Sequence, residues 1–382
     1  MQMRTAPKGH RKNRFYLQLF FLILTAACVL SGCAAFGPRH IPRDRFSYNE
    51  ALAKSTRDQM LLNLVRIRYL EEPVFLAVSS ILTQYVYNAG AGVEASIDLG
   101  GGTDIATADA NLSYEERPTI TYIPIEGREF AQQMLSTIPA EVIFAAAQEG
   151  WTVETLMLIG LNRIGAVENM SFEHIPPPGQ LDLSMQFQRE LKKLKQFRHV
   201  IKLLVVLDDL EAYEVRHEVE KAGKKRFLVF AKDIPEEVQA LVSELKQLLR
   251  LSPNRNKFLI TGHATDVKEE EVSIQTRSLM AMMNFIAKGV EVPPEHLEEG
   301  RVLNYEMPTD KRSGKMLIPF RMHSSRKRPK DPFAAVRYHG YWFYIDNRDI
   351  HSKITLGTII SLFRVLAPTG GGAAPILTLP TG

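Results

Sequence analysis

Cys33 is the residue whose type and setting point most directly at chemistry. A thiolate is a good nucleophile and acyl acceptor, and this thiol follows Leu30-Ser31-Gly32 at the end of an apolar run. No other stretch carries a catalytic signature. The chain has no His-Glu-x-x-His, no Gly-x-Ser-x-Gly and no phosphate loop. Gly100-Gly101-Gly102 is not followed by Lys-Ser or Lys-Thr, so it reads as a hairpin turn and not as a phosphate cradle. Ser243-Glu244-Leu245-Lys246 and Ser324-Ser325-Arg326-Lys327 match Ser-x-x-Lys. The first is expected on the wet side of an amphipathic helix and the second in a basic loop. Among ten histidines, His339 and His351 come nearest to a cluster, beside Asp346 and Asp349. Turns at strand ends favour Asp and Asn for their own hydrogen bonds, and that reading is preferred here. No catalytic, cofactor-binding or metal-binding residue is assigned. Met280, Met282 and Met283 read as core filling.

The elements around Cys33 explain its setting. Arg4, Lys8, Arg11, Lys12 and Arg14 precede the apolar run Phe15 to Val29, with no acidic residue among them. A basic start, an apolar stretch of this length and small residues before the cut make a secretory signal peptide. The run is shorter than the roughly 20 residues that a membrane-spanning helix needs. The Leu30-Ser31-Gly32-Cys33 quartet resembles the lipobox of bacterial lipoproteins. That resemblance implies cleavage between Gly32 and Cys33, lipid attachment at Cys33, and membrane lipid as a partner through the acylated cysteine. Ala34, where an aspartate would signal inner-membrane retention, implies export to the periplasmic face of the outer membrane.

Composition narrows the rest. The chain has 47 basic and 43 acidic residues; the leader takes five basic ones with it, leaving 42 against 43. The pI of 8.9 is therefore no argument for nucleic acid. Cys28 leaves with the leader and Cys33 is acylated, so the remaining domain has no thiol for catalysis, zinc or a disulfide.

Hydrophobic periodicity predicts an α+β fold, with an N-terminal helix and antiparallel β-meander followed by a mixed sheet with packed helices. Residues 1–32 are the signal peptide and 33–46 a lipidated cysteine and flexible tether. Residues 47–175 hold the helix and meander and 180–382 a mixed α/β region, with Pro176-Pro177-Pro178-Gly179 as the break. The capping pattern Ser47 to Glu50 opens a helix that Pro73 stops. Met60, Leu61, Leu64, Val65 and Tyr69 fall on its buried face, and Gln59, Asn63 and Arg66 on its wet face. Arg57 and Arg68 border the stripe with heads in water. Val74 to Tyr87, Val93 to Leu99, Ile105 to Tyr114 and Thr119 to Ile123 are β-rich. Val93, Ala95, Ile97 and Leu99 alternate with Glu94, Ser96 and Asp98, as in a strand with one wet face. Two short helices are expected over 127–135 and 139–148, and 152–164 is open between helix and strand. Asp182 opens a helix, Val200 to Leu207 is a buried strand, and strands are expected at 213–219 and 226–231. Strand 226–231, helix 235–250 and strand 257–262 form a β-α-β unit if the strands are parallel. Further expectations are a strand at 272–276, a helix over 278–288, one aromatic strand over 334–346, a helix over 354–366 and a terminal strand at 375–380.

Leu61-Leu62-Asn63-Leu64-Val65-Arg66, Trp342-Phe343-Tyr344-Ile345-Asp346 and Leu377-Thr378-Leu379-Pro380 loosely resemble bacterial lipoproteins of uncharacterised function, which implies no activity. The expected function is a non-enzymatic binding or assembly role in the envelope, with an envelope protein as partner. Two surfaces could serve it, the basic loop 326–330 on anionic headgroups and the aromatic strand on a protein, although a solvated loop and a core strand are the preferred readings of the two. The alternative is an envelope hydrolase with an unrecognised site near Asp346 to His351.

Overall fold

The computed structural model describes residues 36–96, 105–140, 142–143, 152–171, 183–220, 223–262 and 268–366. Gly32, Cys33, Ala34, the glycine run at 100–102, Pro176 to Gly179, Asp182 and the segment 375–380 lie outside them. The chain divides into two compact units, Met1–Arg57 and Asp58–Gly382. The fold is α+β.

Helix α1 runs Phe36–Arg68 with Pro42 inside it. The expected tether is thus helical from Phe36, and the helix does not open at Ser47. An interior proline removes a donor and crowds the carbonyl four residues back, at a cost of about 3 kcal/mol, yet the helix continues through Pro42. The end is set by Leu70 and not by Pro73. Leu70 adopts φ 61°, Leu70 N–H donates to Ile67 O (3.1 Å) and Glu71 N–H to Arg66 O (2.9 Å), the double closure of a left-handed helix cap. Met60, Leu61, Leu64, Val65 and Tyr69 are buried as their spacing predicts. Two wet-side assignments are corrected: Asn63 is 0% and Arg68 5% exposed. Both find backbone partners inside, which makes their burial affordable.

The β-rich segments that follow do not form a meander of four strands. They join into two long ones, β1 (Leu76–Ser96) and β2 (Ile105–Pro124), paired antiparallel from Leu76↔Pro124 to Ser96↔Ile105 with one irregularity between Val78 and Ser80. Gly90 and Gly92 lie within β1, because their neighbours keep the period of two through them. Twenty-one residues span roughly 70 Å when extended. At the root, Phe75 is buried, stacked on Phe363 with centroids 4.7 Å apart and edge-on to Phe130 at 5.6 Å. Just beyond it, Leu76, Leu82, Ile120, Tyr122 and Ile123 are all exposed.

Next come α2 (Arg128–Leu135), α3 (Val153–Gly160), β3 (Leu161–Ile164) and β4 (Val167–Glu168). The ambiguous apolar run is therefore helix first and strand after. Helix α4 runs Leu183–Asp209 and absorbs the expected strand at 200–207. Phe187, Leu191, Leu194, Ile201, Leu204 and Leu207 form one buried helical stripe, and this long amphipathic face overrides the local β-branched run. Strands β5 (Tyr213–Glu220) and β6 (Gly223–Phe230), helix α5 (Glu236–Leu249), and strands β7 (Lys257–Thr261) and β8 (Glu271–Thr276) follow. The sheet order is β4-β3-β8-β7-β6-β5. The β-α-β expectation is overturned: β6 and β7 pair antiparallel (Phe227↔Leu259), and only β7–β8 is parallel. The left-handed cap at Arg250 (φ 57°) ends α5, and β7 then returns against β6 in the opposite sense. Residues on both sides of 176–179 contribute to one core.

Helices α6 (Leu279–Ala287) and α7 (Pro294–Glu298) precede β9 (His323–Ser325), β10 (Pro332–Tyr338), β11 (Tyr341–Asp346) and α8 (Ile350–Leu366). Ser278 caps α6 by accepting from Ala281 N–H (3.2 Å). Met282 and Met283 are fully buried core residues. The aromatic stretch is a hairpin and not a single strand. His339 (φ 45°) and Gly340 (φ 86°) both take positive φ and form its two-residue turn. β11 is central in the order β10-β11-β9.

Beside this small sheet, Gly289 lies against the chain at Phe320, where an added Cβ would sit 2.2 Å from Phe320 O. Gly289→Ala should therefore lower stability by about 2 kcal/mol or more, read as a shift in the urea midpoint with unchanged slope.

Candidate functional site

Two features of the second unit could carry function: the long hairpin with its root, and a polar cavity. The root is built by α1. Asn63 Nδ2 donates to Val74 O (2.8 Å) and Val74 N–H to Asn63 Oδ1 (3.0 Å); Gln59 Nε2 donates to Leu76 O (3.0 Å) and Leu76 N–H to Gln59 Oε1 (2.9 Å). Residues four apart on a helix and two apart on a strand each share one side. The two amides therefore act as a neighbouring strand would. On the opposite edge Ile125 N–H donates to Phe75 O (2.9 Å). The root is thus satisfied on both edges. Further out, among the described residues, β1 and β2 pair only with each other.

The cavity, of about 890 Å³, lies among residues from α1, β8, α6 and the chain near Leu303 and Tyr305. Three buried cations line it: Arg68, Arg277 and Lys288. Arg68 donates from both terminal nitrogens to Leu303 O (3.2 Å) and stacks on Tyr305, 4.1 Å from the ring centroid. Burial lowers its pKa. Arg277 donates to Leu158 O and Ile159 O (both 3.2 Å) and lies 4.2 Å from the centroid of Phe285. It thereby satisfies the open carbonyl end of α3. Lys288 donates to Asn284 O (3.1 Å) and is pushed down to about 7, first by burial and then by Arg277. All three cations are engaged with main-chain carbonyls. Ser278 is spent on its cap, and no nucleophile–base pair faces the cavity among the described residues.

The residues singled out by sequence are dispersed. Cys33 and Gly32 lie outside the described residues. Ser243 donates to Gln239 O (2.8 Å), while Lys246 is not on the wet side: it is 3% exposed and donates to Asn256 Oδ1 (3.0 Å). No hydrogen bond joins them. His339 sits at the hairpin turn, 3.2 Å from Glu71. Asp346 lies at the other end of β11, five residues or roughly 17 Å of strand beyond Tyr341. There it accepts from Arg348 N–H (2.8 Å) and Nε (3.0 Å), and Arg348 holds its carboxyl below the usual range. Asp349 caps α8 through Ser352, and His351 is exposed. The cluster near 346–351 is therefore a turn and a cap. In the basic loop, Arg326 pairs with Glu295 and Tyr341, and Arg328 stacks over Trp342 at 5.4 Å. Of the aromatic strand, Phe343 and Ile345 are core. Among the described residues, no three His, Cys, Asp or Glu side chains gather to hold a metal.

The amide clamp is what sequence reading missed. The i, i+4 spacing of Gln59 and Asn63 before a β-rich run was its only trace. Asn63→Leu should cost about 1–3 kcal/mol, because it removes both hydrogen bonds to the Val74 backbone, and it should speed hydrogen exchange at Val74. Lys288 titrates near 7 in the folded chain and near 10.5 unfolded. Between those values the unfolded chain binds more protons, so stability should rise with pH. Lys288→Met should flatten that rise in denaturation series at pH 7, 8.5 and 10. Comparison with protein-family models, curated proteins and solved structures finds no match to this chain.

Proposed function

We propose that the protein is a membrane-anchored lipoprotein with a non-enzymatic binding or assembly role in the bacterial envelope, held by acylated Cys33 at the periplasmic face of the outer membrane. The observation that carries the assembly role is the hairpin. A two-stranded ribbon is marginal on its own, yet this one has a root fixed by side-chain amides and Phe75, and exposed apolar residues just beyond it. Such a ribbon gains its missing contacts from a partner. The anchor rests on the basic leader, the apolar run and the Leu-Ser-Gly-Cys quartet. Each acyl methylene buried adds about 0.8 kcal/mol, so two or three chains hold the protein permanently. Among the described residues no helix is long and apolar enough to cross a membrane, and the reading needs none.

Native mass spectrometry of the protein, taken from its own membranes in mild detergent, tests both parts. The expected mass is that of residues 33–382 plus acyl chains, with further copies or a second protein attached. An unacylated chain that retains residues 1–32 would contradict the anchor, and an acylated monomer would contradict the assembly role.

A further inference from the structure

The strand register carries the reading further. Pairing in the outer half of the hairpin is unbroken from Tyr87↔Tyr114 to Ser96↔Ile105. Tyr87, Ala89, Ala91, Val93 and Ala95 occupy alternate positions of β1, which place them on one face. Their partners on that face are Tyr114, Leu112, Ala110, Ala108 and Ala106, so every position there is apolar or aromatic. The other face pairs Asn88 with Ser113, Gly90 with Asn111, Gly92 with Asp109 and Glu94 with Thr107. Ile105, at the far end, is its one apolar position. Among the described residues this sheet has two strands and no third, so both outer edges lack a strand partner.

We propose that β1 and β2 cross a lipid bilayer as one hairpin of a transmembrane β-barrel, closed by several copies of this chain, with the alanine-rich face toward lipid and the Gly90–Glu94 face toward the lumen. This deepens the assembly reading and rests on it, but it does not depend on the acyl anchor. Length is the first argument. Ten residues per strand cover roughly 33 Å, and a tilt of about 40° turns that into the roughly 25 Å apolar band of such barrels. The ends are the second. Tyr85, Tyr87 and Tyr114 fall at the body-proximal limit of the apolar stretch, where an aromatic girdle belongs. Level with Tyr85 and just beyond it, Glu115, Glu116 and Arg117 register with Val86, Tyr85 and Gln84, and Arg117 pairs with Glu115 at 2.7 Å. That is a water-side belt. The edges are the third. No backbone donor survives unpaired in hydrocarbon, so an open two-stranded ribbon cannot enter alone. The smallest barrels have about eight strands, which two strands per chain reach with about four copies.

The test places single cysteines in the full-length chain at Ala91, Ala108, Gly92 and Thr107, labelled with an environment-sensitive fluorophore in phosphatidylethanolamine–phosphatidylglycerol vesicles. A nitroxide on the lipid acyl chain should quench positions 91 and 108, which should also be blue-shifted. Aqueous iodide should quench only 92 and 107. In detergent, light scattering should give a multimer. Iodide reaching both faces equally would overturn the proposal. An apolar face shielded from iodide yet untouched by the nitroxide would also overturn it, since that face would then be covered by protein. Alternating lipid exposure on a monomeric particle would overturn the shared barrel. The chain without added cysteines is the control. If it takes label at Cys33, the acyl anchor fails and the hairpin result stands by itself.

Discussion

Gln59 and Asn63, one helical turn apart on α1, hydrogen-bond both backbone groups of Leu76 and Val74, so that a helix side supplies what a neighbouring strand supplies in a sheet. The long hairpin depends on this contact. A ribbon of two strands gains little from its own pairing, and the direction in which it leaves the body is fixed only where backbone groups are held on both edges. The amides hold one edge and the Ile125–Phe75 bond the other. Phe75, wedged between Phe363 and Phe130, adds about 2–3 kcal/mol of burial at the same point. Past Leu76 nothing of the kind recurs among the described residues, and the strands continue with open edges.

The body repeats this economy of using side chains to finish backbone. Arg277 closes the carbonyl end of α3, Asn169 donates to Leu158 O and Leu161 O at 2.8 Å where helix passes into strand, and Arg68 holds Leu303 O. These buried polar groups surround a cavity whose cations are already engaged. Their hydrogen bonds hold the carbonyls where helix and loop turn.

Much of this was legible in sequence and some was not, for identifiable reasons. The α+β class, the buried stripe of α1, the amphipathic α5 and the capped α6 follow from period and caps, which are local signals. The alternation from Val93 onward marked a strand, and β1 runs through Val93 to Ser96. Its length was lost because the β-rich segments break off at Tyr87 and resume at Val93, and only pairing shows that the ladder runs through Gly90 and Gly92 between them. Val200 to Leu207 looked like a strand because a β-branched run outweighs helical spacing in a short window. The antiparallel β6–β7 pair could not be read, since direction in a sheet is a tertiary property. Asn63 and Lys246 were placed in water because their types are polar; their partners, Val74 and Asn256, become visible only when the chain is folded. At Asp346 to His351 the sequence already favoured a turn whose Asp side chains bond locally, and Asp346 and Asp349 do so.

The central claim is that a self-sufficient body carries a hairpin whose outer part exists for assembly. It is tested most directly by removing that part. Leu82 and Thr119 are register partners, so residues 83–118 can be replaced by an Asn-Gly turn without altering the root. Sedimentation of the trimmed chain beside the full one in mild detergent gives the answer. The account predicts a folded monomer where the full chain is a multimer. A trimmed chain that sediments as the same multimer, or whose body no longer folds, would contradict it.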